Sequence, residues 1–336
     1  MQTDNSGRAK IIEAPQAPSS RTPFPSLVAA SDLCDKPPET PAVLIEGALY
    51  RGGTMLMAGP SKAAKTWTMM DLALSVASGG RWLGFKTTQA PVIYCNFELP
   101  SFVVARRLHE LCSHRGIKPP SNLHLWNLRG CSVEIADLER ELPGKIEALK
   151  AGLFVIDPHY KVSAVSGFEE NSNDGQGELL ARMEAIATRG KAALVIAHHF
   201  AKGTASEKSA IDRASGGGVF ARWPDAFLSM TPHEEDDCMT MAFVLRAFAP
   251  VPDRVARWHF PVWEIDASLD PKKLKKSVGR TETYSADEVM GKLQDGASNA
   301  EWHKSTGLSD GTFRRKRDEL MQAKKVRCTS GLYYRE

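Results

Sequence analysis

The loop Gly59-Pro60-Ser61-Lys62-Ala63-Ala64-Lys65-Thr66 places two lysines and two hydroxyls at the exit of an apolar run. That order suits a phosphate group: converging backbone N–H groups meet its oxygens, a Lys neutralises its charge, a hydroxyl can ligate Mg2+ and a helix N-terminus lies behind. TMLMA before the loop reads as a buried strand and WTMMDLALSVA after it as helix; Trp67 is counted with the loop. One position departs from G-x-x-x-x-G-K-[ST]. Ala64 stands where the second Gly is expected, and Ala tolerates positive φ less well than Gly. A Lys/Ala-rich turn leading into a helix is the plainer alternative.

Phosphate chemistry needs carboxylates nearby, and two follow apolar runs. Asp157, after LFVI, suits the Mg2+ shell, because that ion keeps waters and takes few protein ligands. It also suits a plain Asp-Pro turn. Glu98, after VIYCNF, suits a base that orients or deprotonates a water; a Glu beside Pro at a helix start is also common as structure alone. His198-His199, after ALVIA, would stand near a terminal phosphate and report its loss, or serve structure only.

These residues need a frame that brings strand ends together. Thr54–Ala58, Val92–Phe97, Leu123–Asn127, Leu153–Ile156, Ala193–Ala197, Ala226–Met230 and Met241–Arg246 are short apolar runs with little alternation, as expected of strands buried on both faces. Helical spacing marks Thr66–Ala77, Ser101–Arg115, Glu134–Lys150 and Gly177–Arg189. The alternation implies an α/β domain with a mostly parallel sheet and right-handed crossovers. Val162–Gln176 is polar and Gly-containing and reads as a long loop. Residues 1–40, rich in Pro and Ser, read as a flexible arm, 41–268 as the α/β domain, and 269–283 as a basic linker.

Residues 284–336 read as a small unit of three helices, Ser285–Leu293, Asn299–Ser305 and Asp310–Ala323, and a hairpin around Ser330-Gly331, the plan of a winged helix-turn-helix. Phe313, Leu320, Trp302, Leu293 and Leu332 are its expected core. Arg314, Arg315, Lys316 and Arg317 open the third helix, where Arg314, Arg315 and Arg317 suit duplex DNA. A protein-docking or purely structural helix fits the same pattern.

The 336 residues are 42% hydrophobic and 25% charged, a globular balance. No apolar run is long enough to span a membrane and the N-terminal residues lack a leader pattern, so a cytoplasmic protein is expected. The six cysteines are scattered, without zinc spacing. The net charge of +3 is unevenly spread: 15 Lys/Arg against 9 Asp/Glu lie from Lys272 onward, an electrostatic pointer toward nucleic acid.

Taken together, residues from about 43 to 265 resemble the RepA-like, AAA_25-type group of RecA-fold ATPases, relatives of hexameric replicative DNA helicases of plasmids, phages and mobile elements. The segments that carry the likeness are GPSKAAKTW, DLALSVASGGRWLG, YCNFELP, VIDPHYKV, AHHFAKG, RASGGGVFARWPDAF and RAFAPVPDRVARWHFPVW. The resemblance implies a RecA-like core, ATP with Mg2+, Lys65 on phosphate, Thr66 and Asp157 on the metal side, Glu98 as base and His199, with His198, as sensor. It also implies a homo-hexamer whose neighbour contributes an Arg, Arg222 first and Arg213 second, and single-stranded DNA through the ring. An ATP-driven helicase or translocase is the leading expectation. An ATP-switched DNA-binding regulator or loader without unwinding, and more weakly a recombination ATPase, are the alternatives.

Overall fold

The computed structural model describes residues 26–169, 172–199, 218–275 and 284–336. The chain divides into two compact units, Met1–Pro41 and Ala42–Glu336. The described part of the first carries one helix, α1 (Ala30–Asp35), with no buried side chain. The expected arm therefore holds a helix that its Pro and Ser content did not signal. Residues 1–25 of that arm lie outside the described residues.

The second unit is built on a nine-stranded sheet. Its parallel part comprises β3 (Thr54–Gly59), β6 (Val92–Asn96), β7 (Leu123–Asn127), β8 (Leu153–Asp157), β9 (Ala193–His199) and β10 (Ala226–Pro232), in the spatial order β10-β3-β9-β8-β6-β7. Beyond β10 the sheet continues antiparallel through β11 (Cys238–Leu245), β12 (Arg254–His259) and β13 (Val262–Ile265). Two small hairpins, β1 (Val43–Ile45) with β2 (Leu49–Tyr50) and β4 (Arg81–Trp82) with β5 (Phe85–Lys86), stand apart from it. Every residue of β3, β6 and β8 is buried, which explains their unbroken apolar character.

Strand alternation divides those residues between two cores. Met55, Met57, Tyr94, Val155 and Val195 share one with α2 (Lys65–Ser78) and α3 (Ser101–Arg115). Leu56, Ile93, Phe154 and Ile196 share the other with α4 (Ile135–Leu149) and α6 (Asn173–Gly190). Burying one such Leu or Ile contributes about 1.5–3 kcal/mol, so the layers hold the strand ends in fixed register. Side-chain bonds then tie helix to helix: Arg115 to the buried Asp71 at 2.5 Å across α2 and α3, and Arg182 to Glu139 at 2.6 Å across α4 and α6.

Val162–Gln176 is not a continuous loop. Helix α5 (Tyr160–Val165) covers its start, and α6 begins at Asn173. Polar contacts take the place of apolar periodicity here: Ser172 caps the Gly175 amide, and the buried Gln176 amide donates to Ser163 Oγ at 2.7 Å and to the Glu169 carbonyl at 3.0 Å. Between β9 and β10, α7 (Gly218–Arg222) is the described part of the crossover.

The expected linker at 269–283 also begins later than its charge suggests. Glu234 and Lys275 amides bond the Lys273 and Pro232 carbonyls, both at 2.9 Å, and ion pairs Lys273–Glu234 and Lys275–Asp236 reinforce them. Residues 270–275 are thus joined to the turn between β10 and β11. Residues 276–283 lie outside the described residues.

The C-terminal segment contains α8 (Ala286–Gly291), β14 (Ala297–Ser298), α9 (Asn299–Thr306), α10 (Asp310–Gln322), β15 (Val326–Thr329) and β16 (Leu332–Arg335), the three strands forming an antiparallel sheet. Ser285-x-x-Glu288 and Ser298-x-x-Glu301 each make a capping box that fixes a helix start. Val289, Leu293, Trp302, Phe313, Leu320, Val326 and Tyr333 form its core. Leu332, expected inside, is exposed: the turn sets the register so that Tyr333 faces inward. Among the described residues no helix is long and apolar enough to cross a membrane.

Candidate phosphate-binding site

Parallel strands gather their carboxyl ends on one edge of the sheet, and the crevice there is where such folds take ligands. The loop Gly59–Thr66 leaves β3 at that edge. Space at Gly59 is tight, since a Cβ on it would stand 3.1 Å from Met230 Cβ and 3.2 Å from the Met230 carbonyl oxygen. Lys62 (φ 67°) and Ala64 (φ 53°, ψ 27°) are both left-handed and bracket Ala63, so the backbone curls in the manner that turns successive N–H groups inward. Ala64 adopts the conformation its expected Gly would have, and the turn keeps its shape. The Ala63 amide on the Pro60 carbonyl (3.3 Å) and the Thr68 amide on the Ala64 carbonyl (3.0 Å) hold it.

Lys65 opens α2 and is buried, its ammonium donating to the Gly59 and Pro60 carbonyls at 2.9 and 2.7 Å. Burial pulls its pKa down to about 8, against the opposing pull of Asp157 and Glu98. A phosphate entering the loop meets a lysine aimed by its own backbone. Asp157, at the end of β8, is raised to about 6 by burial, while hydrogen bonds from Tyr94 and Thr66 pull the other way. The Tyr94 hydroxyl donates to Asp157 Oδ2 at 2.6 Å. A hydroxyl bonded to a buried carboxylate beside a lysine fits Mg2+, a hard cation that takes oxygen donors and keeps several waters.

Glu98 is exposed and lines the same cleft, of about 570 Å³, with Lys62, Lys65, Thr66, Trp67, Arg107 and Asp157 among its walls. Asn96 aims it: the Asn96 Oδ1 accepts the Glu98 and Leu99 amides at 3.4 and 2.9 Å, and its Nδ2 donates to the Leu99 carbonyl at 2.7 Å. The far wall carries Trp258 and Phe260. A second cavity of similar size shares Lys62, Ala64 and Trp258 with it and is walled further by His233, Asp236, Asp237, Trp263 and Lys275.

The cleft thus brings together Lys62, Ala63, Ala64, Lys65, Thr66, Trp67, Glu98 and Asp157; Gly59, Pro60 and Ser61 complete the loop. His198 is elsewhere. Its ring stacks on Phe220 with centroids 4.0 Å apart, in contact with the α6 side of the sheet. His199 closes β9 opposite Gly59, and its side chain lies outside the described residues. Arg222 is exposed at the end of α7, its Nε on the Gly218 carbonyl at 3.0 Å. It stands just before β10, whose first residue pairs with Met55, so it lies at the opposite edge from the loop of its own chain. Arg213 lies outside the described residues.

Tyr94, Asn96, Arg107, Trp258 and Phe260 belong to the site without having been expected there. Tyr94 and Asn96 lie on one face of β6, and their strand position was legible. Their partners, up to 63 residues away, were not.

In the C-terminal segment the basic quartet is not a uniform face. Lys316 is buried beside Glu319. Arg317 is held by Asn299 Oδ1 at 2.7 Å and by Asp318. Arg314 and Arg315 are exposed, and Arg314 pairs with Asp310 at 3.2 Å.

A family model described as an AAA domain matches residues 18–205, which span the loop, Glu98, Asp157 and both histidines and end before Arg222. Among solved structures, a KaiC-like protein from the hyperthermophilic archaeon Pyrococcus horikoshii OT3 is similar at 13% identity and a TM-score of 0.46, over 66% of this chain and 93% of that one.

Proposed function

The chain belongs to the AAA domain family, RecA-fold ATPases of the AAA_25 type, and from that membership we propose that it is an ATP-driven motor on DNA, a RepA-like replicative helicase or translocase of a plasmid, phage or mobile element. The observation that carries the chemistry is the meeting of Lys65, Thr66, Asp157 and Glu98 in one cleft at the carboxyl edge of the sheet. The loop amides and Lys65 hold the phosphates. Thr66 and Asp157 hold Mg2+, which when bound neutralises phosphate charge. Glu98, exposed and aimed by Asn96, accepts the proton of the attacking water.

An arginine from outside completes such sites by stabilising charge on the transferred phosphate. Arg222 faces solvent at the edge remote from its own loop, which leaves it to a neighbouring subunit in a homo-hexamer. The order helix, strand, helix, helix and two strands in residues 284–336 supports a winged helix on duplex DNA, with Arg314 and Arg315 on the backbone, while single-stranded DNA passes through the ring. His199 senses the terminal phosphate; His198 supports it from the core.

The second reading, an ATP-switched regulator or loader, is favoured by the joining of residues 270–275 to the turn beside the loop. DNA-stimulated ATP hydrolysis, a mass determination and strand displacement on a forked duplex, with Lys65→Ala as control, test the choice. A monomeric mass with no stimulation by DNA sinks the motor; hydrolysis without displacement selects the switch.

A further inference from the structure

The cleft is lined by two chemically different sets of side chains. Lys65, Thr66, Glu98 and Asp157 form one set, and a carbon-rich set of Trp67, Leu99, Trp258 and Phe260 walls the same cleft together with Lys62 and Arg107. Trp67 follows the metal-side hydroxyl directly in the chain and lines the same cleft. Arg107 lies over that ring at 4.7 Å. Phe260, on the turn between β12 and β13, stands edge-on to Trp67 with centroids 5.2 Å apart at 74° and to Trp258 at 6.4 Å and 76°. It is 59% exposed, a large apolar ring left in water at the rim of a cleft. No ring among the described residues lies parallel to it.

We propose that Phe260, set edge-on against Trp67 and Trp258, is the platform on which the base of the bound nucleotide stacks, and that it selects by stacking area more than by hydrogen bonds to the base edge. The proposal rests on the phosphate loop holding a nucleoside triphosphate. The volume of about 570 Å³ admits the whole nucleotide. Among the described residues the aromatic set carries no amide or carboxylate; Lys62, Arg107 and the two indole N–H groups are donors, and a donor can meet the N7 acceptor that adenine and guanine share. Every base has a π-face, and larger ones cover more ring. ATP and GTP therefore bind alike, and CTP and UTP more weakly.

The test compares Mg2+ complexes of ATP and of inorganic tripolyphosphate, by calorimetry, on the wild-type chain and on Phe260→Ala and Phe260→Tyr. Phe260→Ala should weaken ATP roughly tenfold, the scale of one base stacked on one ring, and leave tripolyphosphate unchanged. Phe260→Tyr should restore ATP. If tripolyphosphate binds and Phe260→Ala holds ATP as the wild type does, the platform falls and the phosphate loop stands. If tripolyphosphate fails to bind the wild type, the phosphate loop falls and takes the platform with it. An ATP preference over GTP of a hundredfold also overturns the proposal, since stacking does not discriminate so strongly between purines.

Discussion

Replacing Ala64 by Gly asks where the strain of the left-handed turn is felt. At φ 53° and ψ 27°, a residue with a Cβ stands about 1 kcal/mol above Gly. Two terms offset the relief: Gly frees the unfolded chain by about 0.5–1 kcal/mol, and the half-buried Ala64 methyl packs on the α2 core, a loss below about 0.8 kcal/mol. The net change in stability lies within about 1 kcal/mol of zero, or no more than about 4 °C in Tm for a unit of this size. The turn is held by the chain's own bonds, at Ala63, Lys65 and Thr68, so the strain is a cost of folding and is the same with or without a phosphate in the loop. Nucleotide affinity and hydrolysis rate should then change by less than about threefold, a shift of about 0.6 kcal/mol. Ala64→Val, with a β-branched side chain at positive φ, should lose both stability and affinity. Calorimetric titration and thermal unfolding of the three proteins decide it. A tenfold gain in affinity or rate for Ala64→Gly would refute the reasoning, because it would mean that the turn forms only on binding.

The other expectations concern protons, a buried hydrogen bond and salt. Lys65, with its pKa drawn down to about 8, must be charged to meet a phosphate, so affinity should be flat to about pH 8 and fall by up to about tenfold per unit above it; calorimetry in buffers of different ionisation enthalpy should find proton uptake on binding there, and none if the lysine titrates normally. The same depressed pKa means that the folded state holds Lys65⁺ at a cost, which lessens as pH rises from about 8 to 10.5. Tyr94→Phe removes a bond that lowers the Asp157 pKa, so the acid limb of hydrolysis should move above pH 6, with about 1–3 kcal/mol lost in stability; an unmoved limb in a pH profile counts against the assignment. Arg314→Ala with Arg315→Ala should reduce the salt slope of duplex binding by about 0.9 for each phosphate no longer neutralised, whereas Arg317→Ala should mainly lower the Tm, because Arg317 bridges α9 and α10; equal salt slopes in a filter-binding series would remove the DNA reading of that face.

The parallel strands were legible because burial on both faces demands apolar residues at every position, as in β3, β6 and β8. Of the antiparallel extension, β11 was legible as Met241–Arg246, but β12 and β13 were not: Arg254, Arg257 and Glu264 interrupt their apolar residues, and the Trp-His-Phe-Pro-Val-Trp run reads equally well as a turn. The start of α6 escaped notice for a related reason, since NDGQGE is held by Ser172 and Gln176 and by no hydrophobic stripe. Of the site, the residues fixed by local order, Lys65 and Thr66, could be read from spacing, and Glu98 and Asp157 from the strands they terminate. Tyr94, Arg107 and Phe260 could not, because their places depend on which strands become neighbours. The C-terminal segment shows the finest limit, where a register of one residue exchanges Leu332 for Tyr333.

The joint between residues 270–275 and the β10–β11 turn bears on how this chain would carry load. The segment is held by two backbone bonds, by the His233 and Thr240 side chains on the Asp270 and Pro271 carbonyls at 3.0 and 3.1 Å, and by two exposed ion pairs, so a pull on the chain beyond Lys275 opens them one after another from the free end. Each exposed pair contributes at most about 1 kcal/mol, and salt weakens both. The arrangement behaves as a cleat: firm at rest, released by modest tension, and more easily slipped in concentrated salt. Because Lys275 and the phosphate loop wall the same cavity, slack let out there is slack delivered beside Lys62 and Ala64.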